Sequence, residues 1–339
     1  MFIVLEPGAG KADLRRVLRR VESFGCRGRI LPDAAHPSVM VAGDSSAVDP
    51  SCVEVLPRVK QVLVLGGGAV RPRGDRRAGP IVVEIAGGRV RVGGDRFIVI
   101  AGPCVVESEK AVLRIAKAVK AAGAHLLRGG AFKPRTSPYC FQGLGEEGLK
   151  ILAAARAETG LPIVTEALDQ RSLELVYEYA DLIQIGARNM QNYALLKEAG
   201  RLKKPVMLKR GVSATVDEWL MSAEYVLAEG NKAVILCERG IRTFSGHARN
   251  TLDLNAVCVA RGLSPLPVLV DPSHGTGLHD AVVPLARAAA ALPSHGIMVE
   301  VHDRPQEALC DAPQALRPAE FAGLMRDIRA LSRVCGYRL

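Results

Sequence analysis

The chain has 339 residues, 48% hydrophobic and 24% charged, enough to bury a barrel-sized core of about 250 residues beside one small extra domain. Its net charge of +10 is scattered through helical patterns and loops, and only 4% of residues are aromatic, which excludes an interleaved basic and aromatic surface for nucleic acid. The absence of an apolar run of about 18 residues or a signal-peptide pattern predicts a soluble, cytoplasmic protein with no membrane partner, and eight Cys without a CxxC pair exclude a secreted disulfide framework.

Residues 1–66 read as a βαββαβ unit of ferredoxin-like type, a candidate regulatory domain. A strand at 2–5 precedes an amphipathic helix at 11–24, where Leu14, Val17, Leu18 and Val21 recur at helical spacing. Strands follow at 28–31, 38–41 and 59–65, with a short second helix at 46–55. Residues 67–80, which include Arg71-Pro72-Arg73-Gly74, lack apolar periodicity and read as a linker. Residues 81–339 form the third segment. Its strands at 81–85 and 89–92 flank Gly87-Gly88, the signal of a β-hairpin suited to plug the N-terminal end of a barrel.

From residue 97 strand and helix alternate. Strands are predicted at 97–101, 124–127, 162–165, 182–185, 205–208, 233–236, 268–270 and 296–301. Helices are predicted at 108–121, 144–159, 170–179, 192–199, 215–229, 252–261, 279–292 and 318–331. Such pairs predict an α/β fold, a (β/α)8 TIM barrel preceded by a small α+β domain. No Gly-rich dinucleotide fingerprint follows the first barrel strand, which disfavours a doubly wound sheet.

Polar residues concentrate at the strand ends, where a parallel barrel places its chemistry. Cys104, His274, Glu300 and Asp311 each sit at or just after an apolar run. One thiolate, one imidazole and two carboxylates suit a single divalent ion, Mn, Fe, Co or Zn, more than structural zinc. After the second strand, Arg128-Gly129-Gly130-Ala131-Phe132-Lys133-Pro134-Arg135-Thr136 brings three cations together. Glu166, Arg188, Lys209 and Arg239 follow at later strand ends. Cations repeated at the same end of successive strands predict a pocket for two phosphate groups, and beside a metal this suggests carbonyl chemistry on phosphorylated substrates.

The blocks Ala101-Gly102-Pro103-Cys104, Lys133-Pro134-Arg135-Thr136-Ser137, Gly186-Ala187-Arg188-Asn189, Lys209-Arg210-Gly211, Cys237-Glu238-Arg239-Gly240, Asp271-Pro272-Ser273-His274 and Glu300-Val301-His302 carry a resemblance. In their order and spacing, residues 95–335 resemble the 3-deoxy-D-arabino-heptulosonate 7-phosphate synthases, and the N-terminal unit resembles the ferredoxin-like regulatory domain of one subgroup. The resemblance implies condensation of phosphoenolpyruvate with erythrose 4-phosphate and water, the first step of the shikimate pathway. It assigns metal binding to Cys104, His274, Glu300 and Asp311. It assigns phosphoenolpyruvate to Arg128, Lys133, Arg188, Lys209 and Arg239, and erythrose 4-phosphate to Lys133, Pro134, Arg135, Thr136 and Asp311. Lys133 is the candidate acid and Glu166 a candidate proton acceptor, with Cys104 and His274 catalytic through the metal.

The resemblance also implies a homo-tetramer or homo-dimer, and an aromatic amino acid as effector of the N-terminal domain. The strand Arg27-Gly28-Arg29-Ile30-Leu31 lacks the His, Ser and Thr side chains that would hold an amino acid's polar groups, so an assembly role is the alternative there. Ala312 stands where the family commonly has Gly, which would strain the backbone if that position needs positive φ. The loop Ser245-Gly246-His247-Ala248 also departs from the usual run. Two rival readings remain: a 3-deoxy-D-manno-octulosonate 8-phosphate synthase, against which Lys133-Pro134-Arg135-Thr136-Ser137 argues, and a catalytically silent amino-acid-sensing barrel.

Overall fold

The computed structural model describes residues 1–31, 37–42, 48–63 and 80–339. It divides into two compact units, 1–70 and 71–339. In the first, β1 (Phe2–Leu5), α1 (Lys11–Glu22), β2 (Arg27–Leu31), β3 (Ser38–Ala42), α2 (Ser51–Glu54) and β4 (Val59–Leu63) follow in order. The antiparallel sheet has the order β2-β3-β1-β4, the ferredoxin-like arrangement. Ile3 and Leu5 alternate inward from β1 and meet Val17 and Val21 of α1, so period 2 on the strand and period 3.6 on the helix supply one core. The predicted linker residues 67–79, and the parts of the short helix and last strand at 46–47 and 64–65, lie outside the described residues.

The second unit opens with the hairpin β5 (Val83–Ile85) and β6 (Val90–Val92). Then β7 (Ile98–Gly102), α3 (Glu109–Ala122), β8 (Leu126–Arg128), α4 (Glu146–Thr159), β9 (Ile163–Ala167), α5 (Gln170–Tyr179), β10 (Leu182–Ile185), α6 (Tyr193–Arg201), β11 (Val206–Lys209) and α7 (Val216–Ala228) alternate. They are followed by β12 (Val234–Glu238), α8 (Leu254–Leu263), β13 (Val268–Val270), the one-turn α9 (Pro272–Thr276), α10 (His279–Ala291), β14 (Gly296–Glu300) and α11 (Pro318–Cys335). The eight strands β7 to β14 form a closed parallel barrel, sealed where β14 pairs with β7 and Glu300 stands opposite Gly102.

The barrel interior is built in layers. Ile98, Ile100, Leu126, Val164, Leu182, Met207, Ile235, Leu269 and Met298 fill it. Val83, Ile85, Val90 and Val92 of the hairpin belong to the same cluster and close its N-terminal end. One inward step further along β8, β9, β10, β11 and β14 the apolar series stops and Arg128, Glu166, Gln184, Lys209 and Glu300 take over. Side-chain alternation therefore carries a hydrophobic floor directly into a polar site at the C-terminal face.

Helix starts are set locally. Ser108, Asp169, Thr215 and Asp253 each accept a backbone N–H of the first turn. Asp271 does the same for α9, and Pro272, which has no N–H to donate, sits at the first helical position, where an N–H would find no partner within the helix.

Candidate active site

Cys104, His274, Glu300 and Asp311 come together at the mouth of the barrel, each offering one donor atom, all within 4.8 Å of one another. A single ion with bonds of about 2.0–2.4 Å fits that spacing. Cys104 Sγ lies 3.0 Å from Asp311 Oδ2, and His274 Nε2 lies 3.1 Å from Glu300 Oε1. Glu300 Oε1 is buried and accepts no well-aligned hydrogen bond among the described residues, although Arg128 Nη2 stands 3.2 Å and His274 Nε2 3.1 Å away. A buried carboxylate oxygen left open beside a thiol and an imidazole fits a metal ion, and the mixed S, N and O donors suit a divalent transition metal.

Outer contacts fix each donor. Asp271 accepts from the His274 backbone through Oδ1 at 3.0 Å and holds His274 Nδ1 through Oδ2 at 2.7 Å, so the residue that caps α9 also leaves Nε2 free to bind. The same Oδ2 carries the Lys209 ammonium. Gln314 Nε2 donates to Glu300 Oε2 at 2.6 Å, and Arg249 Nη1 holds Asp311 Oδ1 at 3.1 Å. Glu300 N donates to Ser273 Oγ at 2.9 Å, tying the last strand to α9. Asp311 itself is left-handed, with φ of 52°, while Ala312 begins a 3-10 turn with no positive φ; the strain expected at Ala312 is absent.

Electrostatics follow from crowding charges without water. Burial disfavours ionised Glu300, but His274 and Arg128 outweigh it and hold its pKa down at about 2. Burial would also lower His274, yet Asp271 and Glu300 raise it to about 9. The Cys104 thiol is pushed well up by burial, by Cys310 and by Glu300. Lys133 Nζ stands 2.8 Å from Cys104 Sγ and 3.4 Å from Asp311 Oδ2; burial opposes its charge, while Cys104 and Glu300 more than restore it, so the ammonium is held protonated.

The donors open into a cavity of ≈ 460 Å³ lined, among the described residues, by eight Arg and Lys side chains and two carboxylates, Glu166 and Asp311. That imbalance selects anionic ligands. All five residues expected to meet phosphoenolpyruvate line it, as do Pro134, Arg135 and Thr136. Arg239 is buried and has no ion-pair partner among the described residues. Its neighbour Arg210 is instead consumed by Glu238 at 3.0 Å and Asp253 at 2.9 Å, a network that stiffens the loop after β12. Arg188 is exposed and donates to Pro134 O and Thr136 Oγ1, so it touches the segment expected to hold the sugar. Arg242 and Arg249 also line the cavity and were not expected there. An isolated arginine in a long loop carries no signal of direction, and Gln314, a neutral amide, carries none of metal support.

The sequence pattern of the DAHP synthetase I family matches residues 80–332, and that of the DAHP synthase ferredoxin-like domain matches residues 1–65. The chain belongs to the DAHP synthetase I family. It is 44% identical over 345 residues, with full coverage of both chains, to the phospho-2-dehydro-3-deoxyheptonate aldolase of Thermotoga maritima. The crystal structure of a DAHP synthase from that organism superposes with a TM-score of 0.89, covering 99% of this chain and 98% of the other. The 2-dehydro-3-deoxyphosphooctonate aldolase of Geobacter sulfurreducens is 31% identical over 270 residues, covering 74% of this chain and 98% of that one. The heptonate relative therefore spans both units, with the higher identity.

Proposed function

We propose that the chain condenses phosphoenolpyruvate with erythrose 4-phosphate and water to give 3-deoxy-D-arabino-heptulosonate 7-phosphate and inorganic phosphate, the entry to the shikimate pathway. The observation that carries this reading is one cavity in which a four-donor cluster adjoins eight cations, in a chain similar over its full length to a heptonate aldolase. Lys133-Pro134-Arg135-Thr136-Ser137 on its wall favours the four-carbon sugar over arabinose 5-phosphate.

Cys104, His274, Glu300 and Asp311 would hold the divalent ion, Mn, Fe, Co or Zn, whose chemistry when bound is Lewis-acid polarisation of the aldehyde. Arg128, Lys209, Arg239 and Arg188, with Lys133, bind phosphoenolpyruvate through phosphate and carboxylate, and Arg135 and Thr136 bind the sugar phosphate. C3 of phosphoenolpyruvate attacks the aldehyde carbon while Lys133 gives its proton to the aldehyde oxygen. The positive charge that develops at C2 is met by water, which loses a proton to Glu166. The resulting phosphohemiketal then expels phosphate.

The setting we propose is a cytoplasmic homo-dimer or homo-tetramer, with an aromatic amino acid acting on the 1–66 domain and residues 67–80 linking it to the 81–339 barrel. Among the described residues no helix is long and apolar enough to cross a membrane.

The test is phosphate release from phosphoenolpyruvate with erythrose 4-phosphate or arabinose 5-phosphate, before and after EDTA and again after added Mn²⁺. Erythrose-dependent turnover lost with EDTA and regained with Mn²⁺ is expected. Turnover with arabinose 5-phosphate alone would move the chain to the octulosonate reaction, and turnover with neither would leave the sensing barrel.

A further inference from the structure

Glu166 and Gln184 stand opposite each other on the adjacent parallel strands β9 and β10, and both line the cavity. Gln184 is buried, and its Nε2 donates to Glu166 Oε2 at 2.9 Å. Gly186, two residues further along, leaves the space that the other carboxylate oxygen fills; a Cβ at Gly186 would overlap Glu166 Oε1. No ion pair holds Glu166 among the described residues, although eight cations line the same cavity.

Coulomb attraction in so cationic a cavity should draw a carboxylate onto an ammonium or guanidinium. A neutral amide on one oxygen and a glycine gap at the other keep Glu166 out of such a pair. An ion-paired carboxylate is a poor proton acceptor, because its charged form is already stabilised. We infer that Gln184 is the positioning residue for Glu166, holding its carboxylate unpaired so that it takes the proton of the water adding at C2. In that step the water oxygen bonds to C2, one O–H bond breaks, and the proton passes to Glu166. Gly186 supplies the room. The inference rests on the reading of Glu166 given above.

Four full-length chains decide it: the wild type, Gln184→Leu, Glu166→Gln and the double variant, assayed for phosphate release with saturating metal. Far-UV circular dichroism checks that each is folded. Glu166→Gln is expected to lower kcat about 100-fold, the scale of a lost proton acceptor. Gln184→Leu is expected to lower kcat about tenfold, the scale of one hydrogen bond to a charged group, with KM for both substrates changed less than about twofold. The double variant is expected to be no slower than Glu166→Gln alone, because Gln184 acts only through Glu166.

Losses that multiply in the double variant, or a Gln184→Leu effect confined to KM, would overturn the positioning role. Wild-type kcat in Glu166→Gln would remove the proton acceptor and the inference with it, while a wild type that releases no phosphate would sink the functional reading itself. Should Gln184→Leu fail to fold, Gly186→Ala presses on the carboxylate from the other side. It is expected to lower kcat in the wild type and to cost nothing further in a Glu166→Ala background; an equal cost in both would overturn the inference.

Discussion

Asp271 Oδ2 lies 2.7 Å from His274 Nδ1, and Asp271 Oδ1 takes the backbone N–H of the same histidine at 3.0 Å. One carboxylate thus sets both the turn that presents the imidazole and the nitrogen left for the ion. Asp271→Asn is expected to lower metal affinity by about 10–100-fold, measured by competition with a chelating dye. Unchanged affinity would mean that Asp271 serves Lys209 alone.

Arg239 is buried without an ion pair among the described residues, and burial lowers its pKa, so an anion is the partner its guanidinium lacks. Arg239→Ala is expected to raise KM for phosphoenolpyruvate by at least about tenfold, with KM for erythrose 4-phosphate little changed. Steady-state kinetics with each substrate varied in turn check this; an equal rise in both would assign Arg239 to general attraction.

Gly102 ends β7 at φ 153°, and a Cβ there would overlap the carbonyl oxygen of Arg128 on the next strand. Gly102→Ala is expected to cost about 2–3 kcal/mol and lower the melting temperature of the barrel by about 5–10 °C. A calorimetric scan reads the shift, and a melting temperature within about 1 °C of the wild type would show that the strand end yields.

His295 N–H donates to Val268 O, and its Nδ1 accepts the Val268 N–H at 3.1 Å, which needs a neutral ring. Burial, then the Arg261 charge, lower its pKa from 6.5 to about 4. Between those values the unfolded chain binds the proton and the folded chain does not, so stability falls as pH falls from 6.5 towards 4, by up to about 3 kcal/mol. His295→Asn keeps an acceptor and removes the titration. Denaturant unfolding at pH 7 and pH 4.5 should show a smaller acid loss in the variant, and parallel losses would exonerate His295. His125 makes the same contact with the Val99 N–H, and its pKa is lowered by burial and Lys120.

The barrel was legible because fully buried parallel strands read as continuous apolar runs. Residues 182–185 and 268–270 were expected as strands at the bounds observed. β8, β9, β11 and β12 run further than expected, through Arg128, Glu166, Lys209 and Glu238. Those groups therefore sit on the sheet itself, and polarity at a strand end is a mark of the site as much as of a turn. The one-turn α9 left no periodic trace, since five residues are too few for one. Nor did Gln314 or Gln184, whose amides gain meaning only from the carboxylates they meet.

Glu300 faces Gly102 across the β14–β7 seam, and Cys104 and Asp311 meet from positions 207 residues apart. In the order of synthesis Cys104 therefore waits without the other three donors until nearly the whole barrel has emerged. The complete donor set arises only when the last strand docks on the first. An ion held by this group would bind the closed ring and not the open one, so its binding energy would add to the closure of the barrel.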